Sequence, residues 1–222
     1  MKSQQSGFTL VEIAIVLVII GLLLGGILKG QELINSAKVK NLANDFRTIP
    51  TYIYGYQDKF KSIPGDDSLV ASSHLPGPPA ATLATTPAGK QGNGVIDGNW
   101  NSTTATDESR LFWQHVRMAN VAAGPTDTAD PLYGPKNALG GDIGISSASA
   151  AQLQISGMSG TYQICSKGVL GKFAKQLDTQ MDDGNTAAGS IRAVTDGAAL
   201  NTAAVATTAI DDATSYTVCM VF

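Results

Sequence analysis

One segment limits what this chain can become more than any other. Residues 8–28 read FTLVEIAIVLVIIGLLLGGIL, 21 residues carrying a single charge, Glu12. At about 1.5 Å per residue, a helix of that length spans roughly 31 Å, the thickness of a bilayer's hydrocarbon core. From Lys29 onward the sequence is mixed or polar. A chain divided in this way reads as a membrane-anchored rod joined to a soluble body. The segment is not built like a secretory signal, which has a basic start, an apolar stretch of roughly 7–15 residues and a small-residue cleavage site behind it. Here the start is MKSQQSG, the apolar run is longer, no A-x-A follows it, and the small residue, Gly7, stands in front. A cut after Gly7 removes a polar leader, residues 1–7, and keeps the apolar segment. Lys2 favours a cytoplasmic N-terminus, with the rest crossing outward.

Glu12 is the anomaly in this segment. A carboxylate in a spanning helix costs roughly 2.5–3.5 kcal/mol at the bilayer centre, and less near the interface, where the fifth residue counted from Phe8 would lie. One reading is a tolerated interfacial acid. The other is an acid that finds a cation on assembly. Cleavage after Gly7 frees an α-amino group on Phe8, four residues before Glu12. The two could pair within one chain or between neighbours in a helical stack. Pairing would then set axial register, because an unpaired buried charge is strongly unfavourable.

The string GFTLVEIAIVLVIIGLLL resembles the processing signature of type IV prepilins and of the pseudopilins of type II secretion systems. The resemblance covers about the first 30 residues. It implies a membrane peptidase that cuts between Gly7 and Phe8 and methylates the new N-terminal Phe8, and it makes Glu12 the acid needed for assembly. Some subunits that cap such filaments lack the acid, so Glu12 favours a subunit that sits within a shaft. The strings AKQLDTQMDDGNTAAGSIRA and ESRLFWQHVRMA also look like parts of prepilin-type bodies.

Helical periodicity continues past the apolar run. Val39, Leu42, Phe46, Ile49, Ile53, Tyr56 and Phe60 recur every three or four residues, one face of a helix. Residues 29–60 are thus expected to form an amphipathic continuation that lies against a globular body, residues 61–222. Two breaks are expected, at the cluster Gly25, Gly26 and Gly30 and at Pro50, which has no amide proton. Residues 63–109 read as loop, rich in Pro, Gly, Thr, Asn and Asp. A second helix is expected over 108–122, capped by Thr106, with Phe112, Val116 and Ala119 on one face. A third is expected over 169–181, with Leu170, Phe173, Ala174, Leu177 and Met181 on one face. DIGISS, QLQIS, TYQIC, SIRAV and SYTVCMVF read as strands. The fold class is therefore α+β, a long N-terminal helix packed on a small antiparallel sheet, which resembles the pilin architecture.

Composition excludes several roles. Lys and Arg number 15 against 18 Asp and Glu, so no cationic surplus exists to neutralise phosphates and no nucleic-acid partner is expected. Lys59 and Lys61 are too few to support aromatic stacking of bases by Tyr52, Tyr54 and Tyr56. Tyr56 is expected to pack inward and the other two to be surface or inter-subunit groups. No G-x-S-x-G, S-x-x-K, H-E-x-x-H or P-loop string occurs, and no enzyme is expected. His115 reads as a partly buried surface or core histidine. Cys165 and Cys219 lie in candidate strands outside the membrane, where either a disulfide or two buried thiols would fit. Pilins typically staple their C-terminal region with such a bond, so the resemblance favours the disulfide. Asp97, Asn99, Asn101 and Glu108 occupy positions 1, 3, 5 and 12 of a calcium-loop pattern, but Ser102 replaces its glycine. Turn chemistry explains the same residues. Asp182 and Asp183 before Gly184 make a second acidic turn, which the resemblance to calcium-binding pseudopilins makes a weak candidate; Asp66 and Asp67 rank lower. No cofactor beyond such structural calcium is expected.

The expected function is a structural subunit of a type IV pilus or a type II secretion pseudopilus. Such a subunit resides as a single-pass protein in the inner membrane with its body in the periplasm, and is then extracted into a filament. Its partners would be copies of itself, other pilins or pseudopilins, the prepilin peptidase and an inner-membrane assembly platform. The alternatives are a minor, priming or adhesive pilin, and a membrane-tethered periplasmic binding protein that does not polymerise.

Overall fold

A computed structural model describes residues 9–222 of the chain, which form two units divided between Lys38 and Val39. Helix α1 (Leu10–Phe60) supplies residues to both. In the first unit its apolar side chains are exposed all round, and it is long and apolar enough to cross a membrane.

The second unit is an α+β body. Residues 39–60 of α1 pack with α2 (Glu108–Met118) and α3 (Gly171–Met181) on one face of a four-stranded antiparallel sheet. The strands are β1 (Ile143–Ser147), β2 (Tyr162–Leu170), β3 (Ile191–Thr195) and β4 (Ser215–Val221), in the order β1-β2-β4-β3. The expected helical face is the buried one: Val39, Leu42, Phe46, Ile49, Ile53 and Tyr56 meet Phe112, Val116, Phe173 and Leu177, with Ile145, Ile164 and Val218 rising from the sheet. A smaller cluster covers the other face, where Cys165, Val194, Cys219 and Val221 contact Trp100, Leu153, Ile155 and Met158. Alternate residues of β2 and β4 therefore enter different cores, as a period of two requires.

The expected breaks in α1 are not there. The helix runs through Gly25, Gly26, Gly30 and Pro50. Each glycine costs about 1 kcal/mol against Ala, too little to stop a helix so long and otherwise rich in Leu and Ile. Pro50 cannot donate to the carbonyl of Phe46, but Phe46, Ile49 and Ile53 are buried on either side of it and tertiary packing holds the backbone in register.

Other expectations shift by a few residues. Helix α2 stops at Met118 rather than 122, and its N-cap is Asp107, not Thr106, with no side-chain cap bond. Helix α3 begins at Gly171 because Val169 and Leu170 are paired to Tyr216 and Ser215 as the end of β2. A Cβ on Gly171 would lie 2.0 Å from the Asp211 carbonyl, so this junction requires glycine. QLQIS is not a strand: Ile155 makes a single bridge to Thr202, while the Gln154 amide donates to the Gln163 side chain. Its apolar residues lie beneath the sheet instead of extending it.

The long connection, 61–107, contains one short π-helical turn, Val70–His74, and is tied down by buried polar groups. Asp66 accepts the amides of Gly92, Asn93 and Gly94, which closes this loop upon itself. Asp67 accepts the Tyr56 hydroxyl at 2.7 Å and the Leu69 amide at 2.9 Å. A region read from its composition as loose is thus pinned to α1.

Candidate functional site

The functional candidates fall in two places, the start of α1 and the loops around α2 and α3. At the start of α1, Thr9 and Glu12 form a reciprocal pair. Glu12 Oε2 accepts the Thr9 amide and the Thr9 hydroxyl, each at 2.8 Å, and Thr9 Oγ1 accepts the Glu12 amide at 3.3 Å. This is a capping box, in which an N-cap Thr and an acid three residues on satisfy each other's backbone donors. The T-x-x-E spacing that signals it is present in the sequence. The acid therefore has a local partner within its own chain, and among the described residues its Oε1 takes no hydrogen bond. Around it Val11, Ile13, Ile15, Val16 and Leu17 are exposed, so nothing among the described residues covers this surface. The expected cleavage and methylation positions, Gly7 and Phe8, lie outside the described residues.

Residues 2–28 match a family described as the prokaryotic N-terminal methylation motif. The chain carries a prepilin-type N-terminus. The match ends where the apolar run ends and leaves the body unassigned. No curated protein and no solved structure matches the chain.

In the body, Cys165 and Cys219 are direct cross-strand partners of β2 and β4 and are joined by a disulfide. The calcium-loop residues do not converge. Glu108 Oε2 accepts the Asp97 amide at 2.8 Å, and Asp97 Oδ1 accepts the Gln152 amide group at 3.2 Å. The Asn99 carbonyl is taken by the Ser102 amide and the Ser109 hydroxyl, and Asn101 is exposed. Asp182 accepts the Ile191 amide and Asp183 the Asn185 amide, which is the chemistry of a helix stop and a turn. Among the described residues no three His, Cys, Asp or Glu side chains are grouped so as to hold a metal ion.

Burial raises the proton affinity of several acids instead, Asp66 among them. Burial pushes Glu108 up to about 8, with Asp66, Asp97 and Asp107 adding to the rise and the Asp97 amide opposing it. Burial likewise raises Asp178 to about 6, opposed mainly by the Gly184 amide. Sequence reading overlooked Asp178, which faces inward on α3 one residue after Leu177. His115 is fully buried rather than partly so. Its Nδ1 accepts the Gly65 amide at 2.9 Å and its Nε2 lies 2.8 Å from the Thr82 carbonyl, which fixes a neutral ring with the proton on Nε2. Burial lowers its pKa to about 4. Glu108 and His115 hold the loop 61–107 to α2. Tyr56 is buried as expected, Tyr54 is exposed, and Tyr52 stands edge-on to Trp113.

Proposed function

We propose that the chain is a structural subunit of a type IV pilus or a type II secretion pseudopilus. The observation that carries this reading is the prepilin-type motif over residues 2–28, joined to a helix whose apolar side chains remain exposed. On this reading residues 1–7 are a leader removed between Gly7 and Phe8, residues 8–28 anchor the chain in the inner membrane and later form the filament core, residues 29–60 continue the helix, and residues 61–222 form a periplasmic body. The prepilin peptidase and an assembly platform are the partners, and the role is structural rather than catalytic.

Assembly exchanges lipid for neighbouring helices, so packing and polar matching, rather than a hydrophobic gain, decide register. The capping box refines the role of Glu12. Its Oε2 stays with Thr9 and closes the helix start, while Oε1 is presented to the amino group that cleavage creates on a neighbour's Phe8. One carboxylate then serves both contacts without leaving its rotamer.

The test is Glu12→Ala and Glu12→Gln in cells with intact assembly machinery. Both variants are expected in the membrane at ordinary levels and missing from sheared filaments, with Phe8 as the mature N-terminal residue of the parent protein by mass spectrometry. Normal incorporation of Glu12→Gln, or a mature product beginning elsewhere, would overturn the reading.

A further inference from the structure

Residues 93 and 94 form the one Asn–Gly pair in the sequence. Such a pair carries chemistry of its own. The side-chain carbonyl carbon of an asparagine can close a five-membered ring with the next backbone nitrogen, and a glycine there puts no side chain in the way. Asn93 and Gly94 are both exposed. Apart from its chain neighbours, no atom lies within 4 Å of where a Cβ on Gly94 would sit, so the ring has room to form.

Three hydrogen bonds fix the reacting groups. The Gly94 amide donates to Asp66 Oδ2 at 2.7 Å, the Val95 amide donates to Asn93 Oδ1 at 2.7 Å, and Asn93 Nδ2 donates to Asp97 Oδ2 at 3.3 Å. The bond to Asp66 decides reactivity. An amide nitrogen attacks through the electron pair left when its proton departs. That pair lies along the former N–H direction, which here points at Asp66 rather than at the Asn93 carbonyl carbon. A carboxylate accepting this hydrogen bond also favours the protonated nitrogen. Asp66 is 3% exposed and accepts the Gly92 and Asn93 amides as well, so one side chain holds the whole segment 92–94.

We propose that Asn93 is a latent modification site, inert while Asp66 holds the Gly94 amide and converted irreversibly to aspartate or isoaspartate once segment 92–94 leaves that carboxylate. On release the Gly94 nitrogen gives up its proton and bonds to the Asn93 side-chain carbonyl carbon. The bond from that carbon to Nδ2 breaks, and Nδ2 leaves as ammonia with the proton. Water then adds to either carbonyl of the resulting succinimide and breaks one of its two ring C–N bonds. No electrons change hands. The product cannot restore the pinned loop. A carboxylate at 93 faces Asp97 Oδ2 where a donor now stands, and the Asp66 and Asp97 charges already oppose one another. Isoaspartate also adds a carbon to the main chain among the amides that Asp66 gathers. The inference does not depend on polymerisation.

The experiment incubates the full chain in lipid nanodiscs at neutral pH beside a synthetic peptide of residues 88–99. Peptide-mapping mass spectrometry follows residue 93 in heavy-oxygen water, whose label marks ring opening. The folded chain is expected to convert at least about tenfold more slowly than the peptide, and the slowing should match the hydrogen-exchange protection of the Gly94 amide within about threefold. This comparison needs no variant. Asp66→Asn, shown to be folded by near-ultraviolet circular dichroism, should convert at least about fivefold faster than the parent. Asn93→Asp should lower the Tm by roughly 2–4 °C, as the loss of one net hydrogen bond does in a body of this size. Conversion of the folded parent at the peptide's rate, a slowing unrelated to Gly94 protection, no acceleration in folded Asp66→Asn, or an unchanged Tm in Asn93→Asp would each overturn the proposal.

Discussion

Replacing Glu108 by Gln should stabilise the body at pH 8 and have almost no effect at pH 4.5. Glu108 is fully buried, one carboxylate oxygen accepts the Asp97 amide and the other has no partner. Burial, with three neighbouring acids, holds its pKa near 8 against an ordinary 4.5. Such a group binds its proton in the native state where the unfolded chain has already lost it. Its stability cost is therefore absent below pH 4.5, grows as pH rises, and is complete above about 8. At about 1.4 kcal/mol per tenfold change in proton affinity, the full difference approaches 5 kcal/mol, and relaxation with water entry reduces it to about 2. Gln keeps the acceptor for the Asp97 amide and carries no proton to lose. For a body of this size about 2 kcal/mol corresponds to a rise of roughly 4–8 °C in Tm. Calorimetry of parent and variant in parallel at the two pH values isolates Glu108 from every other titrating group. A gain of equal size at both values, or a loss at pH 8, would refute the argument.

Acid should act on the opposite side through His115. The ring stays neutral down to about 4 in the folded body against 6.5 when free, so its contribution is complete above pH 6.5 and is lost as pH falls through 4. This amounts to about 3 kcal/mol, and urea unfolding should show a shallower acid-side slope in His115→Asn than in the parent. Parallel slopes would count against it. Reduction of the Cys165–Cys219 bond should cost roughly 4 kcal/mol on the chain-entropy estimate for a separation of 54 residues, read as a lower Tm in dithiothreitol with no change in Cys165→Ser/Cys219→Ser.

The long helix, its buried face and the two central strands are written in local periodicity, which is why Phe46, Ile53, Ile164 and Val218 could be placed from sequence. The N-terminal motif was equally legible, since its residues are contiguous. What escaped was non-local. Nothing near QLQIS says that Gln163 will take its backbone donor, and nothing near Pro50 says that packing will carry a helix through it. The loop 61–107 misled because composition reports turn chemistry but not the distant anchors Tyr56 and His115.

The strand order β1-β2-β4-β3 places β4, residues 215–221, between two strands that precede it in the sequence. Until β4 is in place, β2 and β3 have no common neighbour, and Cys165 has no cysteine to bond. The sheet therefore stays half-organised until β4 inserts between its neighbours.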